Sequence, residues 1–214
     1  HTSLKKVNLE GADLSDADLA KANLQEANLN SSNLQGADLS EANLNQANLS
    51  NVNLENAILI QANLSAANLE GANLEGANLT GADLRNANLK HANFQSTNLA
   101  AVNLYQADFK KAKLKVDRHT NFSGANLASA NLVGVNFDRI NLSRANLTSA
   151  NLCGASLQAA NLRGTKLIFA DLSGTDLSDA DLEKANLKKA ILRGTNLCGA
   201  RLSNATMPDG TIHD

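Results

Sequence analysis

A large apolar residue recurs at every fifth position along nearly the whole chain. Residues 12–29 show the pattern as ADLSD, ADLAK, ANLQE, ANL. With the large residue taken as position i, one array runs from Leu4 to Leu114 and a second from Phe122 to Met207. Of these 41 positions 36 are Leu, and the others are Phe94, Phe109, Phe122, Phe137 and Met207, so a single side-chain type carries the core. Position i−2 is small, Ala in 29 repeats, and i−1 is Asn or Asp in 33. A period of five fits neither the helix period of 3.6 nor the alternation of a continuous strand. Within a repeat, i−2, i−1 and i read inward, outward, inward, which is a three-residue extended piece. The two residues after it must turn the chain.

Glycine placement shows how it turns. Twelve of the 13 Gly stand at i+2, the third residue of the turn leading to the next i−2. A type II turn needs φ > 0 there, so such turns are predicted at these repeats, from Gly11 to Gly199. A helix is disfavoured, because Asn, Asp and Gly at fixed places would penalise every helical turn. Short extended sides joined by turns wind into an all-β solenoid. Four sides per coil stack Leu4, Leu24, Leu44, Leu64, Leu84 and Leu104 in one column. At about 4.8 Å between stacked strands, about ten coils make a rod on the order of 50 Å long. Each buried Leu contributes about 1.5–3 kcal/mol, set against backbone entropy of comparable total size.

The tandem A(D/N)LXX units over residues 2–207 resemble the pentapeptide-repeat family. The resemblance implies a right-handed quadrilateral β-helix; handedness and four-sided closure come from it and not from the spacing. Leu at most central positions, and the tail Met207-Pro208-Asp209-Gly210, are similar to cyanobacterial members more than to the Phe-rich quinolone-resistance branch. A single solenoid is expected over residues 1–214, with repeats 2–116, a loop at 115–121, repeats 120–207 and a tail at 208–214. Family membership implies no common activity.

The largest departure from the pattern is the loop. Leu114 and Phe122 are one repeat plus three residues apart. The insertion must bulge at a corner, as a tolerated surface loop or as a recognition loop. All four core Phe lie between residues 94 and 137, with larger i−2 residues Thr97, Val102, Thr120, Val135 and Ile140, which predicts a wider coil filled by bulkier side chains.

Charge also departs from uniformity. The net −2 conceals −8 over residues 1–84, +6 over 85–144 and zero over 145–214. Four-sided stacking puts Lys90, Lys110 and Lys111 on one side, Lys113, Lys115 and Arg139 on the next, and Arg118 and His119 in the loop. This patch is the expected contact site for an acidic protein partner, although solvation of a surface that must carry charge explains it as well. Nucleic acid is disfavoured, since only Tyr105 is nearby for stacking. Outward apolar residues are expected at Ile58, Ile60, Tyr105, Ile168 and Phe169.

Catalytic chemistry finds no foothold. Aromatic residues are 3% of the chain with no Trp, which excludes an ordinary aromatic-rich core. No apolar run approaches the roughly 18 residues of a membrane-spanning helix. Cys153 and Cys198 fall at i+1 on adjacent sides, more than two coils apart, so they are expected to stay unpaired and exposed. His1, His91, His119 and His213 lack metal-ligand spacing. No nucleophile–base order or phosphate-cradling loop can be assembled. The expectation is a non-enzymatic scaffold without cofactor, metal, small-molecule substrate or membrane association. Free thiols favour a reducing, cytoplasmic compartment. Pro208 and the Pro-Asp-Gly turn are expected to blunt the C-terminal edge, with Ile212 closing the core. No N-terminal cap is visible, which favours a monomer or weak end-to-end association. The alternative is an acidic DNA mimic that binds a topoisomerase, as the quinolone-resistance branch implies. The −8 segment is compatible with it, and the Leu-rich core and near-neutral whole chain weigh against it.

Overall fold

The computed structural model describes residues 3–109, 112 and 121–214. Parallel bridges join each i−1 residue to the one a coil further on. Ser3↔Asn23, Asn8↔Asn28, Asp13↔Asn33 and Asp18↔Asp38 start four such columns, here called sides one to four. A coil thus has four sides, each an extended triplet and a corner.

The corners follow from the backbone. Ala12 N–H donates to Leu9 O at 3.0 Å, closing a turn in which Gly11 has φ +65°. The left-handed corner is not confined to glycine. Every described i+2 residue from Lys6 to Asn204 adopts it, including Lys21 (58°), Ala66 (56°) and Phe169 (59°). This conformation costs a non-glycine residue about 1–2 kcal/mol. The cost is offset because the corner N–H then meets the next coil: Lys21 N–H reaches Ser40 O and Ala66 N–H reaches Arg85 O, both at 2.8 Å.

One repeat shows the full hydrogen-bond inventory. Asn73 N–H donates to Val52 O (2.9 Å), Leu74 N–H to Asn93 O (2.8 Å), Gly76 N–H to Gln95 O (2.9 Å) and Ala77 N–H to Leu74 O (3.0 Å). The fifth donor, Glu75 N–H, has no backbone acceptor and goes to Asn73 Oδ1 at 3.3 Å. Backbone donors need partners, and Asn or Asp at i−1 supplies this one in most repeats. The Asn amide then donates along its column, Asn73 to Asn53 Oδ1 at 3.2 Å and Asn93 to Asn73 Oδ1 at 3.0 Å.

The side chains at i and i−2 fill the interior. The described Leu residues at i from Leu24 to Leu187 are fully buried, while Leu4, Leu9, Leu14 and Leu19 at one end and Leu192, Leu197 and Leu202 at the other are partly buried. Threonine at i−2 adds a tie between coils: the hydroxyls of Thr97, Thr165 and Thr175 donate to Leu74 O, Leu142 O and Leu152 O at 2.8–2.9 Å.

The register changes once. Asn88 pairs with Asp108, but Asn98 pairs with Asn121, Asn103 with Asn126 and Asp108 with Asn131; regular spacing resumes at Asn121↔Asn141. Three extra residues therefore enter between Asp108 and Asn121. The predicted loop at 115–121 lies, but for Asn121, outside the described residues. At this level the four Phe are fully buried and touch in sequence, with ring centroids 5.4 Å apart for Phe94–Phe109, 6.4 Å for Phe109–Phe122 and 5.4 Å for Phe122–Phe137. Thr97, Val102, Val135 and Ile140 are buried beside them.

The tail folds back on the last coil. Thr206 and Ile212 pair antiparallel, and Asn204 N–H donates to His213 O and His213 N–H to Ala205 O, both at 2.8 Å. This covers part of the edge, as expected, but Ile212 does not close the core. It remains 59% exposed. Its cross-strand partner Thr206 is an i−1 residue, and directly paired residues share a face, so Ile212 is turned outward.

Candidate protein-interaction surface

With i and i−2 inside and i−1 closing the backbone, the surface is written by i+1 and i+2. Of the predicted contact residues, Lys90 lies on side two and its ammonium is 3.4 Å from Asp108 Oδ2, so its charge is already partnered. Arg139 is exposed at the corner between sides three and four. Lys110, Lys111, Lys113, Lys115, Arg118 and His119 lie outside the described residues.

A groove of about 560 Å³ on side four lies just beyond the basic segment, lined by Ser123, Gly124, Asn141, Ser143, Arg144, Asn161 and Arg163. It was not singled out from the sequence, although Ser123, Ser143 and Arg163 share a column by their 20-residue spacing. Its lower edge is an ion-pair network. Arg163 forks onto both carboxylate oxygens of Glu183 and lies 3.4 Å from Asp181 Oδ2. Arg201 reaches Asp181 at 3.5 Å, and Lys184 reaches Glu183 at 3.5 Å. Hydrogen bonding to Arg163 holds the Glu183 carboxyl below the ordinary range, and the same bonds raise Arg163. Such exposed pairs contribute little individually to stability.

The repeat tolerates exceptions at i−1. Where Ser156 replaces Asn, the Asp138 carboxylate from the preceding coil accepts Gln158 N–H at 3.1 Å and also the Ser156 hydroxyl. Ile58 and Ile191 offer no acceptor at all. They are 38% and 51% exposed, and with Ile60, Tyr105, Val133 and Phe169 they supply the apolar surface. Val133 and Ile191 are not among the outward apolar residues expected from the sequence. Phe169 lies beneath Lys189 Nζ, 5.1 Å from the ring centroid.

Both cysteines are free; Cys198 is exposed and Cys153 half-buried. Burial, then a hydrogen bond to the Asp171 carboxylate, pushes the Cys153 thiol up, away from the reactive thiolate. Among the described residues no group of three His, Cys, Asp or Glu could hold a metal ion, and no helix is long and apolar enough to cross a membrane.

Four-sided coils with a Leu centre and Asn ladders define a class of repeat solenoid, and comparison places the chain within it. The family model for pentapeptide repeats matches eight copies, over residues 8–46, 37–76, 47–86, 77–115, 120–158, 140–179 and 180–209. The chain belongs to the pentapeptide-repeat family, whose fold is a right-handed quadrilateral β-helix. Members are generally non-enzymatic structural or binding proteins.

Among solved structures, the chain is 36% identical to HetL of the cyanobacterium Nostoc sp. strain PCC 7120, a pentapeptide-repeat protein involved in heterocyst differentiation regulation. That match covers 100% of this chain and 92% of HetL, with a TM-score of 0.53. Rfr23 of the cyanobacterium Cyanothece 51142 is 35% identical over 54% of this chain and 88% of its own, with a TM-score of 0.43. QnrB1, a plasmid-mediated fluoroquinolone resistance protein, covers 95% of this chain and 89% of its own at 18% identity and a TM-score of 0.54, a likeness of fold alone. No curated protein sequence matches the chain.

Proposed function

We propose that this chain is a non-enzymatic interaction scaffold, a rod that binds a protein partner through side chains at i+1 and i+2. The observation that carries the reading is the division of labour within each repeat. Backbone donors are satisfied by other backbone groups and, in most repeats, by the i−1 side chain, which leaves i+1, and i+2 within the limits of its left-handed corner, to vary in sequence. Charge is segregated along the chain, from −8 to +6 to zero. The involvement of HetL, alike over the full length of this chain, in heterocyst differentiation regulation supports the same class. The contact surface we assign is the basic segment containing Lys90, Lys110, Lys111, Lys113, Lys115, Arg118, His119 and Arg139.

Cross-linking mass spectrometry of partners captured by the wild type and by a Lys110/Lys111/Lys113/Lys115→Glu variant tests it. The reading expects cross-links around this segment to vanish in the variant while its melting is unchanged. Retained cross-links in a normally melting variant would overturn it. The acidic-mimic reading is favoured only by the −8 of residues 1–84. Absence of inhibition in a gyrase supercoiling assay at stoichiometric protein would remove it.

A further inference from the structure

Side four changes character where the second array begins. In an earlier coil of this side the Thr80 hydroxyl at i+1 turns back onto its own repeat, donating to Asn78 Oδ1 at 2.7 Å, as the hydroxyls of Ser50 and Ser65 do on sides two and one. Ser123 and Ser143 engage Asn121 and Asn141 through their backbone N–H groups, at 3.0 and 3.1 Å, and among the described residues neither hydroxyl has a partner; both serines line the groove. The amide ladder also stops here. Asn141 donates to Asn121 Oδ1 at 3.0 Å, but among the described residues Asn161 Nδ2 meets no acceptor, and Asn161 Oδ1 is taken by Arg163 N–H at 3.2 Å.

Arg144 stands at the corner that ends the side. Among the described residues no carboxylate pairs with it, whereas Arg163, one coil on, is held by Glu183 and Asp181. Gly124, above Arg144 on the same corner, contributes no side chain, and a Cβ added there would meet nothing within 4 Å. The groove is therefore open, lined by hydrogen-bond donors, and without an acidic residue in its lining. Arg139 opens the same side at the opposite corner.

We propose that this groove receives a side-chain carboxylate from an acidic segment of the partner protein, with the Arg144 guanidinium as its fork and Ser123, Ser143 and Asn161 as neutral donors. The inference rests on the protein-binding reading above and names the chemistry of what is bound. A carboxylate fits better than a phosphate monoester. One unpaired guanidinium balances a single negative charge, whereas a phosphate near −2 calls for a second free cation.

Fluorescence anisotropy with a labelled hexaglutamate peptide, and with a phosphoserine peptide of matched length, tests the assignment on the full chain. Wild type is expected to bind hexaglutamate with an affinity that falls as salt rises. Arg144→Ala is expected to weaken it by about tenfold, the loss of one charge-assisted contact. Lys188→Ala, an exposed charge on side one, is expected to leave it unchanged. Ser143→Phe, filling the groove from a half-buried outward position, should weaken binding without lowering the melting temperature. No binding by wild type, equal losses in Arg144→Ala and Lys188→Ala, or tighter binding of the phosphopeptide would each overturn the proposal. Any of these results together with cross-links lost in the lysine-reversed variant removes the groove assignment alone and leaves the scaffold reading standing.

Discussion

Asn73 Oδ1 accepts the Glu75 backbone N–H at 3.3 Å, while Asn73 Nδ2 donates to Asn53 Oδ1 one coil earlier at 3.2 Å. One side chain thus completes its own repeat and ties two coils together. Asn73→Ala leaves an exposed backbone donor without its protein acceptor and should destabilise the rod by about 0.5–1.5 kcal/mol. Asn73→Asp keeps the acceptor and should cost less. Urea midpoints of the three proteins check the order.

Leu74 and Glu75 separate inside from outside. Leu74 is fully buried, so Leu74→Ala should cost about 2–5 kcal/mol. Leu74→Asp would bury an unpaired charge and should prevent folding altogether. Glu75 is exposed, and Glu75→Lys should melt within about 0.5 kcal/mol of wild type. Circular dichroism melts distinguish the three.

The ring chain predicts a weak point at the register change. Phe122 sits between Phe109 and Phe137 in ring contact with both. Phe122→Ala should cost about 3–5 kcal/mol through the cavity it leaves. Phe122→Leu restores the common core residue and should recover part of that loss in the same thermal assay.

Acid should loosen the rod through its aspartates. The Ser40 hydroxyl, and then Ser40 N–H, hold the Asp38 carboxyl below its ordinary value of 3.8. Asp171 is lowered in the same way by Ser173. A carboxyl lowered by folding stabilises the fold at pH values above its unfolded pKa, and the contribution disappears as pH falls through the folded value. Stability should therefore be level near neutrality and fall once the pH drops below 3.8. Asp38→Asn keeps the acceptor used in most repeats. It should match wild type at neutral pH and lose less stability in acid, as a pH series of urea titrations would show.

The core was legible because it repeats. Leu at i and Ala at i−2 could be assigned inward from the period, and Gly11 or Gly76 marked the corner. The left-handed corners at Lys21, Ala66 and Phe169 were not legible. Nothing in those side chains favours φ > 0, and the hydrogen bond from the corner N–H to the next coil imposes it. Asn at i−1 reads from the sequence only as an outward residue, and its bond to the i+1 N–H follows once the other four donors of a repeat are accounted for. The groove was missed for a different reason. Attention to the lysine run at 110–115 passed over Arg144, whose setting depends on two small corner and side residues, Ser123 and Gly124, one coil earlier. Ile212 was misplaced because its register was extended in parallel, whereas the Pro-Asp-Gly turn reverses the chain.

The central claim is that the i−1 side chain supplies the one acceptor each repeat lacks. Amide hydrogen exchange at Glu75, measured by NMR in wild type and Asn73→Ala, tests it most directly. The account predicts exchange at Glu75 faster by about tenfold in the variant, with Gly76, bonded to Gln95 O at 2.9 Å, keeping its protection. Equal exchange at Glu75 in the two proteins would contradict it.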